Sequence, residues 1–150
     1  MEPSFRLAQP GDIELLLGLM RQLYALDGYP FEEGTARAAL EGLVRDPRFG
    51  RVWVIGSGAE PIGYLVLTFG YSLEFGGRDA FVDELFVAAG HRRRGVGTRA
   101  IEFAAEQCRA LGVRALHLEV ERANTAAQAL YRKLGFADHD RYLLTRRIGG

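Results

Sequence analysis

The chain has 150 residues, of which 48% are hydrophobic and 25% are charged, and these values fit one folded domain with a sizeable core. Its 19 basic and 19 acidic side chains give a net charge of zero, which argues against nucleic acid or an anionic membrane surface as the partner. The sequence has no apolar run near 18 residues, a single cysteine and no secretion-signal pattern, so we expect a cytoplasmic protein without a membrane span.

The first half of the sequence predicts two helices and three strands. In chain order we expect a strand over Phe5 to Ala8, a helix capped by Asp12, a loop over Asp27 to Gly34, a second helix over Thr35 to Val44, and strands over Arg51 to Gly56 and Pro61 to Phe69. The turn Ser57-Gly58-Ala59 joins the last two strands into a hairpin.

The second half predicts a parallel strand, helix, strand unit. We expect a polar connection over Tyr71 to Asp79, a strand over Phe81 to Ala88, a helix over Val96 to Leu111, a strand over Ala115 to Val120, a helix from the cap Asn124 to Leu134, and one or two strands within Phe136 to Ile148. The helix between the two middle strands makes them parallel, because only a long crossover joins parallel neighbours.

The most informative segment is Phe81 to Thr98, in which a strand leads through a loop of arginines and glycines into a helix. The first N–H groups of a helix lack partners inside it, and the helix dipole adds partial positive charge there. The side chains of Arg92, Arg93 and Arg94 add full charges, while Gly95 and Gly97 let a ligand approach the backbone. The segment therefore predicts an anion site, and a solvated basic turn is the alternative.

Two phosphate-binding motifs compete for this loop. A nucleoside-triphosphate loop requires Gly-Lys followed by Ser or Thr, whereas Gly97 is followed directly by Thr98. A dinucleotide fold fits the spacing of Gly95, Gly97 and Ala100, with Glu119 as the ribose-binding acid. Gly95 lies seven positions after Ala88, the end of the predicted strand, however, whereas the dinucleotide turn follows its strand at once.

The segment from Val87 to Gly97 has R-x-x-G-x-G spacing and resembles the acetyl-CoA pyrophosphate loop of the Gcn5-related N-acetyltransferases (GNAT). A second block, Leu118 to Phe136, is similar to that family's next motif, and the order of elements also matches. The resemblance implies an α/β fold with a mixed, mostly antiparallel central sheet of six to seven strands, flanked by helices, with one parallel β-α-β cofactor unit. It also implies a single GNAT domain over residues 1–150.

By this resemblance, acetyl-CoA is the cofactor. The residues expected to bind it are Leu85, Phe86, Val87, Arg92, Arg93, Arg94, Gly95, Val96, Gly97, Thr98, Asn124 and Tyr131. If the two parallel strands separate, a backbone N–H near Phe86 or Val87 is free to stabilise the oxyanion, and the pantetheine arm lies between the strands.

Acetyl transfer to an amine requires a base for the amine and an acid for the departing thiolate. The acid candidate is Tyr131, since a phenol with a pKa of about 10 can protonate a thiolate whose thiol has a pKa of about 8.5. The family uses the matching tyrosine likewise. For the base we rank Glu119 first, then Glu84 and Asp83, and each has an exposed or salt-bridged carboxylate as its structural alternative.

The acceptor is least constrained by the sequence. The loop that carries Asp27, Tyr29, Phe31 and Glu33 combines carboxylates with aromatic rings, which suits a small cationic amine. An exposed acidic turn with aromatic anchors is an equal alternative, and the motif around Glu119 and Tyr131 also resembles enzymes that acetylate protein N-termini. We therefore expect N-acetylation of a primary amine by direct attack, on a small molecule or a peptide.

Other functions are weighed against this one. The three histidines lack the spacing of a metal site, so no metal is expected, and Cys108 is expected in the core rather than as a nucleophile. A non-catalytic acyl-CoA sensor and a dinucleotide-binding enzyme stay as alternatives from other classes, and a homodimer is the alternative to a monomer.

Overall fold

The computed structural model of this protein describes residues 2–149. The chain divides into two units, Met1–Glu119 and Val120–Gly150, and each is described here by itself. None of the described helices is long and apolar enough to cross a membrane.

The first unit contains a five-stranded sheet and three α-helices. The strands are β1 (Ser4–Leu7), β2 (Gly50–Ser57), β3 (Glu60–Ser72), β4 (Gly77–Val87) and β5 (Ala115–His117), and the helices are α1 (Ile13–Asp27), α2 (Glu33–Arg45) and α3 (Val96–Ala110). The strands lie in the order β1-β2-β3-β4-β5, in which β4 and β5 are parallel and all other neighbours are antiparallel. The predicted parallel β-α-β unit is therefore β4-α3-β5.

Helices cover both faces of this sheet. Successive strand residues point to opposite faces, so β2 and β3 supply two separate cores. The core under α1 and α2 contains Leu16, Leu17, Leu40, Val52, Val54, Tyr64, Val66 and Phe86. The core under α3 contains Trp53, Ile55, Leu65, Leu67, Ala100, Ala104 and Cys108, which confirms the predicted core position of the cysteine.

A β-bulge in β4 decides which of its side chains face α1. Val66 pairs with Glu84 while its neighbour Leu67 pairs with Val82, so Asp83 is the extra residue. Without the bulge, Glu84 would share a face with Val82, which packs under α3. The extra residue turns Glu84 to the face of α1 and α2.

Two predicted strand boundaries are wrong in the first unit. The polar connection expected over Tyr71 to Asp79 is mostly strand, because Tyr71 pairs with Arg78 and the Arg78 guanidinium stacks 4.7 Å from the centre of the Phe69 ring. Strand β5 ends at His117 rather than at Val120. Pairing with a neighbouring strand decides both boundaries. A polar segment continues as a strand where it has a partner, and an apolar segment ends where its partner ends.

The second unit contains helix α4 (Thr125–Lys133). Its predicted cap is confirmed, because Asn124 Oδ1 accepts a hydrogen bond from the N–H of Ala127 at 3.1 Å. The helix ends before Gly135, whose φ of 99° favours glycine. The expected strands within Phe136 to Ile148 are absent from the described residues, so the sheet has five strands instead of six to seven.

Candidate active site

Strands β4 and β5 separate as expected, which leaves one edge of β4 open. Their ladder runs only from Asp79–Ala115 to Phe81–His117, whereas β4 continues to Val87. On the other side, the N–H of Ala88 donates to Ile62 O at 2.7 Å, so by alternation Phe86 faces β3 and Val87 faces the open edge. The backbone N–H available at this edge is therefore that of Val87 and not that of Phe86.

Helix α3 begins without a side-chain cap. Its N-cap is Gly95, whose φ of 79° is left-handed and favours glycine. The first helical hydrogen bond runs from the N–H of Arg99 to Gly95 O at 3.0 Å. The N–H groups of Val96, Gly97 and Thr98 consequently have no acceptor within the helix, and they lie at the positive end of its dipole.

The loop between β4 and α3 is positively charged and strained. Arg93 has a φ of 64°, a left-handed conformation that costs a residue with a side chain about 1–2 kcal/mol. Arg92 fastens the loop to β4, since its Nε donates to Val87 O at 2.7 Å and its guanidinium lies 5.5 Å from the centre of the Phe86 ring. Arg93 and Arg94 are exposed and form no ion pair within residues 2–149.

The start of α3 has open space around Gly97. A Cβ atom placed on Gly97 would meet nothing within 4 Å, so packing does not require glycine there and the space beside the unpartnered N–H groups is open. Open space, backbone donors and arginine charge together form the arrangement that binds phosphate at helix N-termini. The anion site at this helix start stays a prediction, and the open space and the backbone donors support it.

The Glu84 carboxylate lies at the centre of a partly buried polar cluster. Its Oε2 accepts a hydrogen bond from the hydroxyl of Tyr24 at 2.5 Å, and its Oε1 accepts one from Tyr64 at 2.8 Å. Burial raises the pKa of Glu84, the two phenol hydrogen bonds oppose that rise, and the charges of Asp83 and Asp27 add to it. A partly buried carboxylate whose pKa is raised is suited to act as a proton acceptor.

The other two candidate bases lie in different surroundings. Asp83 is the exposed bulge residue next to Glu84. Glu119 is exposed and lies two residues beyond the end of β5, so it is outside the strand that was predicted to contain it. Of the three carboxylates, Glu84 is the one whose position is fixed by side-chain hydrogen bonds.

The loop expected to bind the acceptor is partly filled by a side chain of the protein itself. The guanidinium of Arg21 lies 4.8 Å from the centre of the Phe31 ring and donates to Glu33 at 2.5 Å. The structure thus gives this carboxylate and this ring an internal cation. The two remaining loop candidates are Asp27, whose charge acts on Glu84, and Tyr29, which is 56% exposed.

In the second unit, Tyr131 lies in α4 and its ring contacts Phe136 edge-on, with 6.0 Å between ring centres. Burial raises the pKa of its phenol above the usual value of 10. The hydroxyl therefore keeps its proton at neutral pH, as a general acid must. The side chain of Asn124 is engaged as the helix cap, as described above.

The sequence interpretation missed several polar side chains of the first unit. Tyr24 and Tyr64 are not among the site residues that the sequence predicts, although a tyrosine on an apolar face indicates that its hydroxyl has a hydrogen-bond partner. A second pair joins the parallel strands, where His117 Nε2 lies 3.1 Å from Asp79 Oδ2. Among residues 2–149 no group of three or more His, Cys, Asp or Glu side chains could hold a metal ion.

Comparison with known proteins identifies the family. The family model described as Acetyltransferase (GNAT) family matches residues 17–136, which include the open edge of β4, the arginine loop and α4. The chain belongs to this family. The predicted membership of the GNAT family is thereby confirmed, and the dinucleotide-fold alternative is wrong.

Relatives agree with this membership. A chloroplastic protein of Arabidopsis thaliana named GCN5-related N-acetyltransferase 6 is 35% identical over 77 residues, which cover 45% of this chain and 27% of that protein. The match thus spans about a quarter of the plant protein's length.

Solved structures share the GNAT fold. An integron cassette protein from the mobile metagenome of Cole Harbour Salt Marsh is 36% identical with a TM-score of 0.86, and the match covers 97% of this chain and 91% of that one. The structure of AAC(6')-Iy in complex with a bisubstrate analog of CoA has a TM-score of 0.79 at 21% identity, with 99% and 100% of the two chains covered. These matches confirm a mixed α/β fold with a mostly antiparallel sheet and one parallel pair.

Proposed function

We propose that this GNAT protein transfers the acetyl group of acetyl-CoA to a primary amine by direct attack. The observation that carries the proposal is the uncapped start of α3, where the N–H groups of residues 96–98 have no acceptor within the helix and a Cβ on Gly97 would meet nothing within 4 Å. Three arginines precede this start in the loop. These donors would hold the diphosphate of coenzyme A, and the thioester at its other end supplies an activated acetyl group. The structure of AAC(6')-Iy, which shares the fold, contains the bisubstrate analog CoA-S-monomethyl-acetylneamine, and this supports the choice of cofactor.

The open edge of β4 would receive the thioester end. The N–H of Val87 would donate to the carbonyl oxygen as negative charge develops on it, which stabilises the transition state more than the ground state. Leu85 and Val87 pack their side chains against the core under α3, so the strand that presents this N–H is held firmly. Preorganised donors of this kind contribute about 10²–10³-fold to the rate in other acyl-transfer enzymes.

For the proton transfers we propose Glu84 as the base and Tyr131 as the acid. Glu84 is partly buried and hydrogen-bonded, which supports it over the exposed Glu119 and Asp83 that the sequence also offered. The phenol of Tyr131 would protonate the departing thiolate, and its raised pKa keeps it protonated until that step.

We propose a small cationic amine as the acceptor. Asp27 lies close enough to Glu84 for its charge to act on that carboxylate. The exposed ring of Tyr29 contacts Tyr24, which is hydrogen-bonded to Glu84. Because Arg21 already neutralises Glu33 and covers Phe31, selectivity would depend on Asp27 and Tyr29. An N-terminal peptide amine is the competing acceptor.

The deciding experiment is an acetylation screen across polyamines, aminoglycosides, amino acids and peptides, with release of free thiol as the readout. Thiol release that depends on a cationic small amine supports the full proposal, and release that depends on a peptide replaces the acceptor. Saturable binding of acetyl-CoA without any amine-dependent thiol release would contradict catalysis and favour an acyl-CoA sensor.

Within an active protein, Tyr131→Phe tests the acid. We expect kcat to fall by at least about 10-fold while the affinity for acetyl-CoA changes little, since the hydroxyl acts only as the thiolate departs. A variant that keeps the full rate at every pH would rule out this role for Tyr131.

A further inference from the structure

The Glu84 cluster joins three elements of the first unit. Tyr24 lies on α1, Tyr64 on β3 and Glu84 on β4, and the two phenols donate to different oxygens of the one carboxylate. We propose that Tyr24 and Tyr64 are positioning residues, which hold the Glu84 carboxylate as the group that takes the proton from the acceptor amine. This inference rests on the proposed function, because it assigns a task to two residues near its base.

The hydrogen bonds leave Glu84 able to react. Each oxygen of an ionised carboxylate can accept about two hydrogen bonds, so each retains one free acceptor position. Two donors from different elements fix the rotation and the position of the carboxyl group more firmly than one donor could. Tyr64 is 1% exposed, so its hydroxyl is itself immobile. The carboxylate is therefore held in place with acceptor capacity to spare.

A purely structural role does not account for the charge at this place. Buried tyrosine hydroxyls need only a neutral acceptor, such as a glutamine or a backbone carbonyl, and burying a carboxylate costs more. No Lys, Arg or His within residues 2–149 forms a salt bridge with Glu84. A partly buried carboxylate without a cation is suited to take up a proton during turnover.

Four side chains act on the charge of Glu84. From α1 come the phenol of Tyr24 and the charge of Asp27, from β3 the phenol of Tyr64, and from β4 the charge of Asp83. Burial and the two charges raise the pKa of Glu84, whereas the two phenols lower it. The phenols therefore keep Glu84 ionised at a pH where its surroundings would otherwise protonate it.

The proton transfer balances without another reactant. The N–H bond of the acceptor ammonium breaks, an O–H bond forms on Glu84, and the electron pair of the N–H bond stays on nitrogen as the lone pair that attacks the thioester. Glu84 then releases its proton to water. Only the ionised form can begin this step, so activity should fall as pH falls through the pKa of Glu84.

The test compares the pH dependence of kcat/KM in wild type and Tyr24→Phe. Removing one donor to the carboxylate raises the pKa of Glu84, so the acid limb of the profile should move to higher pH by about one unit. Tyr71→Phe is the matched control, because Tyr71 is 75% exposed at the far end of β3 and lies outside the cluster. Its acid limb should coincide with that of wild type.

A second measurement does not depend on activity. The Glu84 carboxyl carbon can be followed by ¹³C NMR during a pH titration of wild type, Tyr24→Phe and Tyr64→Phe, with Glu84→Gln used to assign the signal. A raised titration midpoint in both phenylalanine variants, matched by the shifted acid limb of Tyr24→Phe, supports the proposal. A midpoint or an acid limb that stays at the wild-type pH in Tyr24→Phe overturns it.

The outcomes separate this inference from the proposed function. Amine-dependent thiol release by wild type, with an acid limb that Tyr24→Phe leaves in place, overturns the positioning role alone. Absence of any amine-dependent release by wild type overturns the proposed function and the assignment of Glu84 as its base, whatever the NMR titration shows.

Discussion

The starts of α3 and α4 differ in how their first N–H groups are satisfied. Helix α4 begins at Asn124, whose side chain accepts from Ala127, and α2 likewise begins at Glu32, whose carboxylate accepts from Thr35 at 2.5 Å. Helix α3 begins at Gly95 and has no side-chain cap. A cap contributes about 1 kcal/mol, which α2 and α4 gain and α3 forgoes. Helix α1 also has no side-chain cap hydrogen bond, so its predicted cap Asp12 is wrong, but α1 continues directly from the 3-10 turn Pro10–Asp12. A helix start without a cap, beside a strained loop of arginines, is the expected form of a ligand site.

The largest effect should come from placing a negative charge at the uncapped start. We expect Gly97→Glu to weaken binding of coenzyme A by about 100-fold or more, because a carboxylate about 5 Å from a phosphate costs about 3 kcal/mol at an effective dielectric constant of about 20. Isothermal titration calorimetry measures this directly.

The matched control for that change is Gly18→Glu. Gly18 lies exposed in α1, and a Cβ atom there also meets nothing within 4 Å. The control should bind coenzyme A as wild type does. Equal affinities for the two variants would show that the diphosphate lies away from α3.

A smaller effect is expected from the arginine charges. Arg94→Gln should weaken binding of coenzyme A by about 10-fold and reduce its dependence on salt, since one charge-assisted contact is lost. Arg45→Gln is the control. Arg45 is exposed at the C-terminal end of α2, so this substitution removes the same charge at a different place. Affinity that falls equally in both variants would indicate a general field effect instead of a local contact.

The smallest change concerns the capped helix. We expect Asn124→Ala to lower the free energy of unfolding by about 1 kcal/mol, whereas Asn124→Ser, which can still cap, should lose only a few tenths. Chemical denaturation followed by circular dichroism distinguishes them. If both variants also lose affinity for coenzyme A, Asn124 has a binding role in addition to its cap.

The sequence supplied the local features of the fold. Hydrophobic periodicity located α1, α2, α3 and α4, and the hairpin around Gly58 followed from its turn residues. The extents of the strands were missed, because the pairing of Tyr71 with Arg78 and the ending of β5 at His117 depend on neighbours far away in the chain. The strands expected after Phe136 are absent from the described residues for the same reason, because an apolar segment forms a strand only where a partner strand is available.

The candidate site also combines local features with features that depend on distant parts of the chain. The sequence by itself was sufficient to predict an anion site, because arginines, glycines and a helix start are contiguous in the chain and their chemistry needs no distant partner. Only the tertiary structure decided which carboxylate is held. One extra residue at Asp83 turns Glu84 to the face of α1, where two tyrosines from other elements meet it. Register and cross-element hydrogen bonds of this kind are set by three-dimensional packing, which local residue patterns do not encode.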